Sequence, residues 1–266
     1  MYETIYHRPS SVDEAAALFA KGADAKYLSG GHTLIPVMKQ RLAAPSDVID
    51  LGRIKELVGI ELSADALTIK AATTYFDITQ SADAKKAIPA IVHLTSMLGD
   101  PQVRYRGTIG GSIANNDPAA DYPAAVLALG ATVKTNKRAI AADDFFKGLF
   151  TTALEDGEII IAVSFPIPAK AAYSKMRHPA SRFALTGVFV VKNKAGDVRV
   201  AATGASQNGV MRVPAIEAAL KANWSASALD GITISADGLI ADIHGSSAYR
   251  ANLIKVMAQR AVTEAG

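Results

Sequence analysis

Two glycine pairs, Gly30-Gly31 and Gly110-Gly111, are the residues of this chain whose type and spacing point most directly to chemistry. Each follows a strand-like run and leads into a segment of small polar residues. Glycine permits a positive φ and has no Cβ to keep a ligand away from the backbone. Successive N–H groups in such a turn face one concavity that suits a phosphate oxygen. Thr33, Thr108 and Ser112 place hydroxyl donors beside those amides. A diphosphate takes donors from more than one side, so two such turns brought together would form a clamp. Taken singly, each pair is explained as well by a tight bend. The second pair says more, because Asn115, Pro118 and Asp121 follow it at short offsets.

Other phosphate and hydrolytic signatures are missing. No GxGxxG follows a strand, no GxxxxGK[ST] occurs, and there is no GxSxG elbow. Asp117 and Asp121 can be read as a pair for a hard cation, or more simply as a turn residue and a helix cap. The chain has no cysteine, which excludes a disulfide framework, thiolate-ligated zinc and an iron–sulfur cluster of its own. Its five histidines form no HxxxH or HExxH spacing. Net charge is +3, with lysine and arginine dispersed, so no basic stripe for nucleic acid is expected. No run reaches the roughly 18 to 20 apolar residues that span a bilayer. The N-terminus lacks a basic and apolar leader, and a cytoplasmic location is expected.

The elements that must position the glycine pairs follow from pattern. Tyr2 to His7 predicts a strand, and Ser11-Val12-Asp13-Glu14 a capping box opening a helix to about Ala20. Lys26 to Ser29 is a short strand, Leu34 to Leu42 has helical spacing, and Asp47 to Leu51 is again a strand. Val58 to Ala72 reads as a hairpin around Ser63-Ala64-Asp65. Phe76 to Ala82 and Ile88 to Leu98 are predicted helices. A further helix runs from Tyr122 to Leu129, with Asp121 as its N-cap. Strands return at Ala131 to Thr135, Ala139 to Ala141 and Glu158 to Phe165. Pro166-Ile167-Pro168 marks a boundary. Beyond it come a hairpin from Ala184 to Ala205 and helices at Pro214 to Ala222 and Ser246 to Val262. Strand pairs dominate without strict alternation with helices, which favours α+β over doubly wound α/β. The length of 266 residues suits one large domain or two modest ones.

Ser29-Gly30-Gly31-His32-Thr33-Leu34-Ile35-Pro36 resembles the first FAD motif of the medium subunits of molybdenum hydroxylases. Thr108-Ile109-Gly110-Gly111-Ser112, with Asn115, Pro118, Ala120 and Asp121, resembles their second. Glu158-Ile159-Ile160-Ile161, Tyr173-Ser174-Lys175 and Ala248-Tyr249-Arg250 extend the similarity along the chain. The family includes carbon monoxide dehydrogenase and, as a fused domain, xanthine dehydrogenase. The resemblance implies a two-lobed FAD-binding domain of PCMH type over residues 1–168, with lobes of about 1–51 and 52–168. A smaller C-terminal domain of short antiparallel sheet and helices would occupy residues 169–266.

For the cofactor, the resemblance implies that Leu28 to Ile35 wrap the FAD diphosphate and Thr108 to Ser112 complete the cradle. Asp121 would accept from a ribose of the adenosine moiety, and Asn115 would reach the cofactor. Ile160 and Lys175 would lie near the isoalloxazine ring, where a lysine can stabilise negative charge on the reduced flavin. At Leu98, xanthine dehydrogenase-type relatives have an aromatic ring that stacks on the flavin; leucine would cover the ring face but cannot stack. Tyr105, Tyr122 and Tyr173 are candidates for the shielding group. The implied role is electron transfer in a hetero-oligomer with a small subunit holding two 2Fe–2S clusters and a large subunit holding molybdenum cofactor. Electrons would leave to NAD, a quinone or another acceptor. The alternative is a self-sufficient flavin oxidase or reductase of the same fold, in which His32 is the motif histidine for a covalent tether. A module that has lost its cofactor is a third possibility, against which the intact glycine pairs and Asp121 count.

Overall fold

The computed structural model describes residues 1–266. The first lobe contains β1 (Ile5–His7), α1 (Val12–Phe19), β2 (Ala25–Leu28), α2 (Leu34–Lys39) and β3 (Asp47–Asp50). Its three strands lie in the order β1-β3-β2, and both pairings are parallel. Parallel neighbours need crossovers, which the helices supply. At the start of α1, Ser11 Oγ accepts from the Glu14 amide at 3.2 Å. The Glu14 carboxylate reaches back to the Ser10 amide at 2.7 Å, one residue earlier than a capping box requires. Ala15, Ile49, Ile54 and Leu57 form the lobe's core, and Ile159 joins it from far along the chain.

The second lobe begins with β4 (Ile60–Leu62) and β5 (Ala66–Lys70), the hairpin expected around Ser63-Ala64-Asp65. Helices α3 (Tyr75–Gln80), α4 (Ala82–Ala87), α5 (Pro89–Ser96), α6 (Pro101–Arg106), α7 (Ile109–Asn115) and α8 (Tyr122–Ala128) follow. Then come β6 (Thr132–Thr135), β7 (Ala139–Ala141), α9 (Ala142–Phe145), β8 (Phe146–Gly148), β9 (Thr151–Thr152) and β10 (Ile160–Pro166). The five-stranded sheet runs β4-β5-β10-β6-β7 and is antiparallel throughout. Four of these helices, α4, α6, α7 and α9, escaped the pattern. Helix α6 has a readable signal in Asp100-Pro101: Asp100 Oδ1 accepts from the Val103 amide at 2.9 Å, and proline fills the first helical position. Helix α7 contains the second glycine pair, and glycine is a poor helix former. Tertiary contacts decide it.

Past Pro166 the chain enters β11 (Lys170–Arg177), β12 (Ala184–Lys192), β13 (Val198–Ser206) and β14 (Gly209–Arg212), an antiparallel sheet in sequence order. Helices α10 (Pro214–Ala222) and α11 (Ser247–Ala265) complete the chain. Alternation along these strands sorts side chains to two cores. Tyr173, Phe189, Val191 and Ala201 join the second lobe's core, whereas Ala172, Val188, Val190 and Val200 pack with residues of α10 and α11. Both faces of β12 are therefore covered, which is why its sequence is almost wholly apolar. The boundary at the two prolines separates sheets, but packing runs across it. No helix is long and apolar enough to cross a membrane.

Candidate functional site

A cleft of about 1070 Å³ runs between the first lobe, the second lobe and the end of the C-terminal sheet. It is at the upper end of ordinary ligand pockets, which span roughly 300 to 1,000 Å³. Both glycine segments line it, although about eighty positions separate them in sequence. They meet directly: Ser29 Oγ and Thr108 Oγ1 lie 2.9 Å apart. The convergence that a diphosphate clamp needs is present in the fold.

The two pairs are built differently. In the first, Gly31 has φ +79°, a conformation that glycine adopts without penalty. Gly30 serves close approach, since a Cβ there would lie 2.2 Å from Arg106 O at the end of α6. The amides of Gly30, Gly31, His32 and Thr33 find no acceptor within the chain, and four consecutive free donors face the cleft's first wall. The second pair is not a turn at all. Gly110 and Gly111 sit in the first turn of α7, capped by Thr108 Oγ1 at 3.2 Å from the Gly111 amide. The Gly110 amide donates to Ala71 O at 2.9 Å, and a Cβ at Gly110 would meet that same carbonyl at 2.7 Å. Gly110 therefore lets the helix lie on the backbone after β5, and Gly111 lines the cleft, where a Cβ would lie 3.0 Å from Thr108 Oγ1. Donors on this side are hydroxyls and helix-terminal polarity more than a ring of free amides.

Of the site residues drawn from sequence, Leu28, Ser29, Gly30, Gly31, His32, Thr33, Leu34, Leu98, Thr108, Gly110, Gly111, Ser112, Asn115, Asp121, Ile160 and Lys175 all line the cleft. Ile35 and Ile109 do not. The Ile35 side chain lies beneath Gly31, and Ile109 is fully buried in the second lobe's core. Ile160 has both of its possible roles, since it is a buried core residue and a wall of the cleft.

Asp121 stands at the N-cap position of α8, but its side chain caps nothing. Its Oδ1 accepts from the Tyr173 phenol and lies 2.8 Å from Lys175 Nζ. Burial pushes the carboxyl above the usual range, and Lys175, Tyr173 and Arg177 pull it back only in part. Lys175 projects from the same face of β11 as Tyr173, and its side chain is only 1% exposed. Its Nζ makes no well-angled hydrogen bond despite the short separation, so a buried ammonium retains unused N–H directions in the cleft wall. Asp121 and Lys175 thus occupy one place. Assigning the first to adenosine and the second to isoalloxazine would put one point in space at opposite ends of a dinucleotide.

A second buried carboxylate in the cleft, Glu158, is named in the sequence only as the start of a family-like segment, with no role attached. Glu158 lines the cleft with a side chain that is fully buried. Desolvation pushes its carboxyl up, yet Arg138, the Glu155 amide and the Thr135 hydroxyl together lower it to about 2. No motif marks this ion pair, because Arg138 and Thr135 come from another hairpin. The tyrosines suggested as ring shields lie elsewhere: Tyr122 and Tyr173 are wholly buried, and Tyr105 stacks on Phe76 at the surface. The aromatic rings that do line the cleft are Tyr27, Tyr75 and Phe183. Burial raises the Tyr75 phenol to about 12. Arg104 Nη1 donates to Leu98 O at 2.8 Å and holds the Leu98 turn in place.

Residues 1–168 match the family model described as "FAD binding domain in molybdopterin dehydrogenase". The carbon monoxide dehydrogenase medium chain of Afipia carboxidovorans is 36% identical, over 98% of this chain and 96% of that one. The nicotine 6-hydroxylase medium subunit of Paenarthrobacter nicotinovorans is 35% identical, again over 98% of this chain and 96% of its own length. Among solved structures, reconstituted carbon monoxide dehydrogenase from Oligotropha carboxidovorans superposes with a TM-score of 0.90 at 34% identity, covering 99% of this chain and 97% of that chain. The free amides of the first motif, the missing side chain at Gly111 in the cleft wall and the buried ammonium of Lys175 all fit a flavin dinucleotide. This chain belongs to the FAD-binding medium subunits of the molybdenum hydroxylases, the oxidoreductase family of carbon monoxide and xanthine dehydrogenases.

Proposed function

We propose that this chain is the electron-transfer subunit of a three-part complex. A small subunit with two 2Fe–2S clusters would deliver electrons, and a large subunit with molybdenum cofactor would oxidise the substrate. The flavin supplies reversible electron uptake, with NAD, a quinone or another acceptor as the outlet. The observation that supports this best is the contact of the two motifs through Ser29 and Thr108, in a cleft that Lys175 also lines. The lack of cysteine agrees with clusters held by a partner.

Within the cleft, the amides of Gly30 to Thr33 would bind the diphosphate from one lobe. The Ser112 hydroxyl would face it from the other. Lys175 and Asp121 would act together at the flavin end: the ammonium offers positive charge to the pyrimidine edge of the ring, and the carboxylate keeps that charge compensated inside the protein. Leu98 and Phe183 would limit water at the ring. The C-terminal domain, residues 169–266, supplies Lys175 and so closes the site.

The chain purified with its natural partners should be yellow and contain about one FAD per copy. Acid precipitation should release that flavin into the supernatant. A colourless preparation that takes up no FAD on reconstitution overturns the reading, and flavin retained in the pellet favours a covalent oxidase. Recovery of a molybdenum-binding chain in the same preparation tests the assembly.

A further inference from the structure

Gly187 lies directly across the ladder from Lys175, on the strand that neighbours it. A Cβ at this glycine would lie 2.2 Å from Tyr173 Oη and 2.9 Å from Cζ. The Tyr173 ring therefore crosses the ladder diagonally and occupies the space that any side chain at position 187 would fill. From there its phenol, wholly buried, reaches Asp121 Oδ1. The backbone before Asp121 is held independently. Thr203 Oγ1, with one proton to donate, lies 2.7 Å from Ala120 O and 3.0 Å from Pro118 O, and the Gly204 amide donates to Pro118 O at 2.8 Å. Strand β13 thus fixes where Asp121 starts, and Tyr173 fixes where its carboxylate ends.

Two donors compete for that one oxygen. The phenol takes the well-directed position. The ammonium of Lys175 stands 2.8 Å away at an angle that makes no hydrogen bond. An ammonium has three N–H groups and no acceptor function, so those it does not spend on Asp121 are available to a ligand in the cleft. Were the phenol absent, the ammonium would turn into the vacated position and form a charge-assisted hydrogen bond with the carboxylate.

We propose that Tyr173, seated over Gly187, is a positioning residue that keeps Lys175 directed at the cofactor by occupying the Asp121 oxygen the lysine would otherwise take. This rests on the reading of the cleft as the FAD site. Neither residue lines the cleft, so neither effect can come from contact with the cofactor.

The test compares Tyr173→Phe, Gly187→Ala and the double variant in the complete chain purified with its partners. FAD affinity, flavin midpoint potential and melting temperature are measured for each. Tyr173→Phe should weaken FAD binding about tenfold, the worth of one hydrogen bond to a charged group. It should also move the midpoint potential to more negative values, because less positive charge reaches the reduced ring. Gly187→Ala should lower the melting temperature and weaken FAD at least as much. In the double variant the atom that the new methyl meets first is gone. Melting temperature should then recover toward that of Tyr173→Phe, and the two losses of FAD affinity should not add. Tyr173→Phe with unchanged affinity and potential, alongside a wild-type chain that binds FAD, overturns this inference alone. Additive losses in the double variant also overturn it. A wild-type chain that binds no FAD removes the site, and this inference with it.

Discussion

Gly30-Gly31 and Gly110-Gly111 are the same dipeptide in sequence and different devices in the fold. At the first pair the backbone itself is exceptional: Gly31 has a positive φ and four amides in succession lack an acceptor. At the second pair the backbone is ordinary helix with its amides already bonded, and the glycines are there for clearance. One pair offers donors. The other brings a helix end within reach of them. A shared motif therefore does not imply a shared physical reason, and substitutions should distinguish the two.

The largest effect is expected where a methyl would strike backbone. Gly30→Ala and Gly110→Ala each place Cβ against a carbonyl, at 2.2 Å from Arg106 O and 2.7 Å from Ala71 O. Each should cost about 2 to 3 kcal/mol of stability and abolish FAD binding, because overpacking there moves whole elements. Chemical denaturation and flavin content measure both. Next is Gly31→Ala, where the positive φ imposes roughly 1 to 2 kcal/mol. The nearby Ile35 Cδ1 at 2.7 Å is a flexible end that can move aside. Its flavin content should fall while the chain remains folded.

Gly111→Ala should separate stability from binding. Its φ is helical, and alanine is favoured over glycine inside a helix by roughly 0.5 to 1 kcal/mol. The Thr108 Oγ1 contact at 3.0 Å asks for a small adjustment, so stability should change by less than about 1 kcal/mol. FAD affinity should still fall, since the methyl enters the cleft. A variant with full flavin affinity would show that Gly111 does not face the cofactor.

The smallest effect concerns pH and the two buried carboxylates of the cleft, Glu158 and Asp121. Glu158 titrates at about 2 against an ordinary value of 4.5, so its contribution is present above 4.5 and is lost as pH falls toward 2. Asp121 is displaced upward from 3.8, so its burial as an anion is a cost at neutral pH that is relieved as pH falls through its raised value. Melting temperature against pH should accordingly show a flatter acid limb in Glu158→Gln. In Asp121→Asn the acid limb should become steeper. The physical difference is the number of donors. Glu158 has a guanidinium, a backbone amide and a hydroxyl, whereas Asp121 has a phenol and an imperfectly aimed ammonium.

Much of the fold was legible because its signals are local. The β4/β5 hairpin, the β12–β13 hairpin and α10 follow from turn residues and apolar periodicity. Helix α7 was not legible, since Ile109-Gly110-Gly111 has low intrinsic propensity and its helix is stabilised by the Thr108 cap and by contact with Ala71. The β11 strand was missed as a strand, because Lys170-Ala171-Ala172-Tyr173-Ser174-Lys175 alternates only weakly, and its pairing with the apolar β12 decides it. The cap role expected of Asp121 failed for a related reason. A nearby phenol and ammonium from β11 outweigh the local amides of α8.

By itself the sequence marked which segments to expect at a dinucleotide, and determined that no cluster could be held on cysteine and which family motifs were present in order. It could do so because glycines, hydroxyls and a single carboxylate at set offsets are chemical facts independent of folding. Only the tertiary structure decided that one glycine pair offers amides while the other offers clearance. It alone joined Asp121, Lys175, Tyr173 and Gly187 into one group. Hydrogen-bond direction and steric clearance depend on partners up to seventy or more residues away, and no local pattern in the chain encodes them.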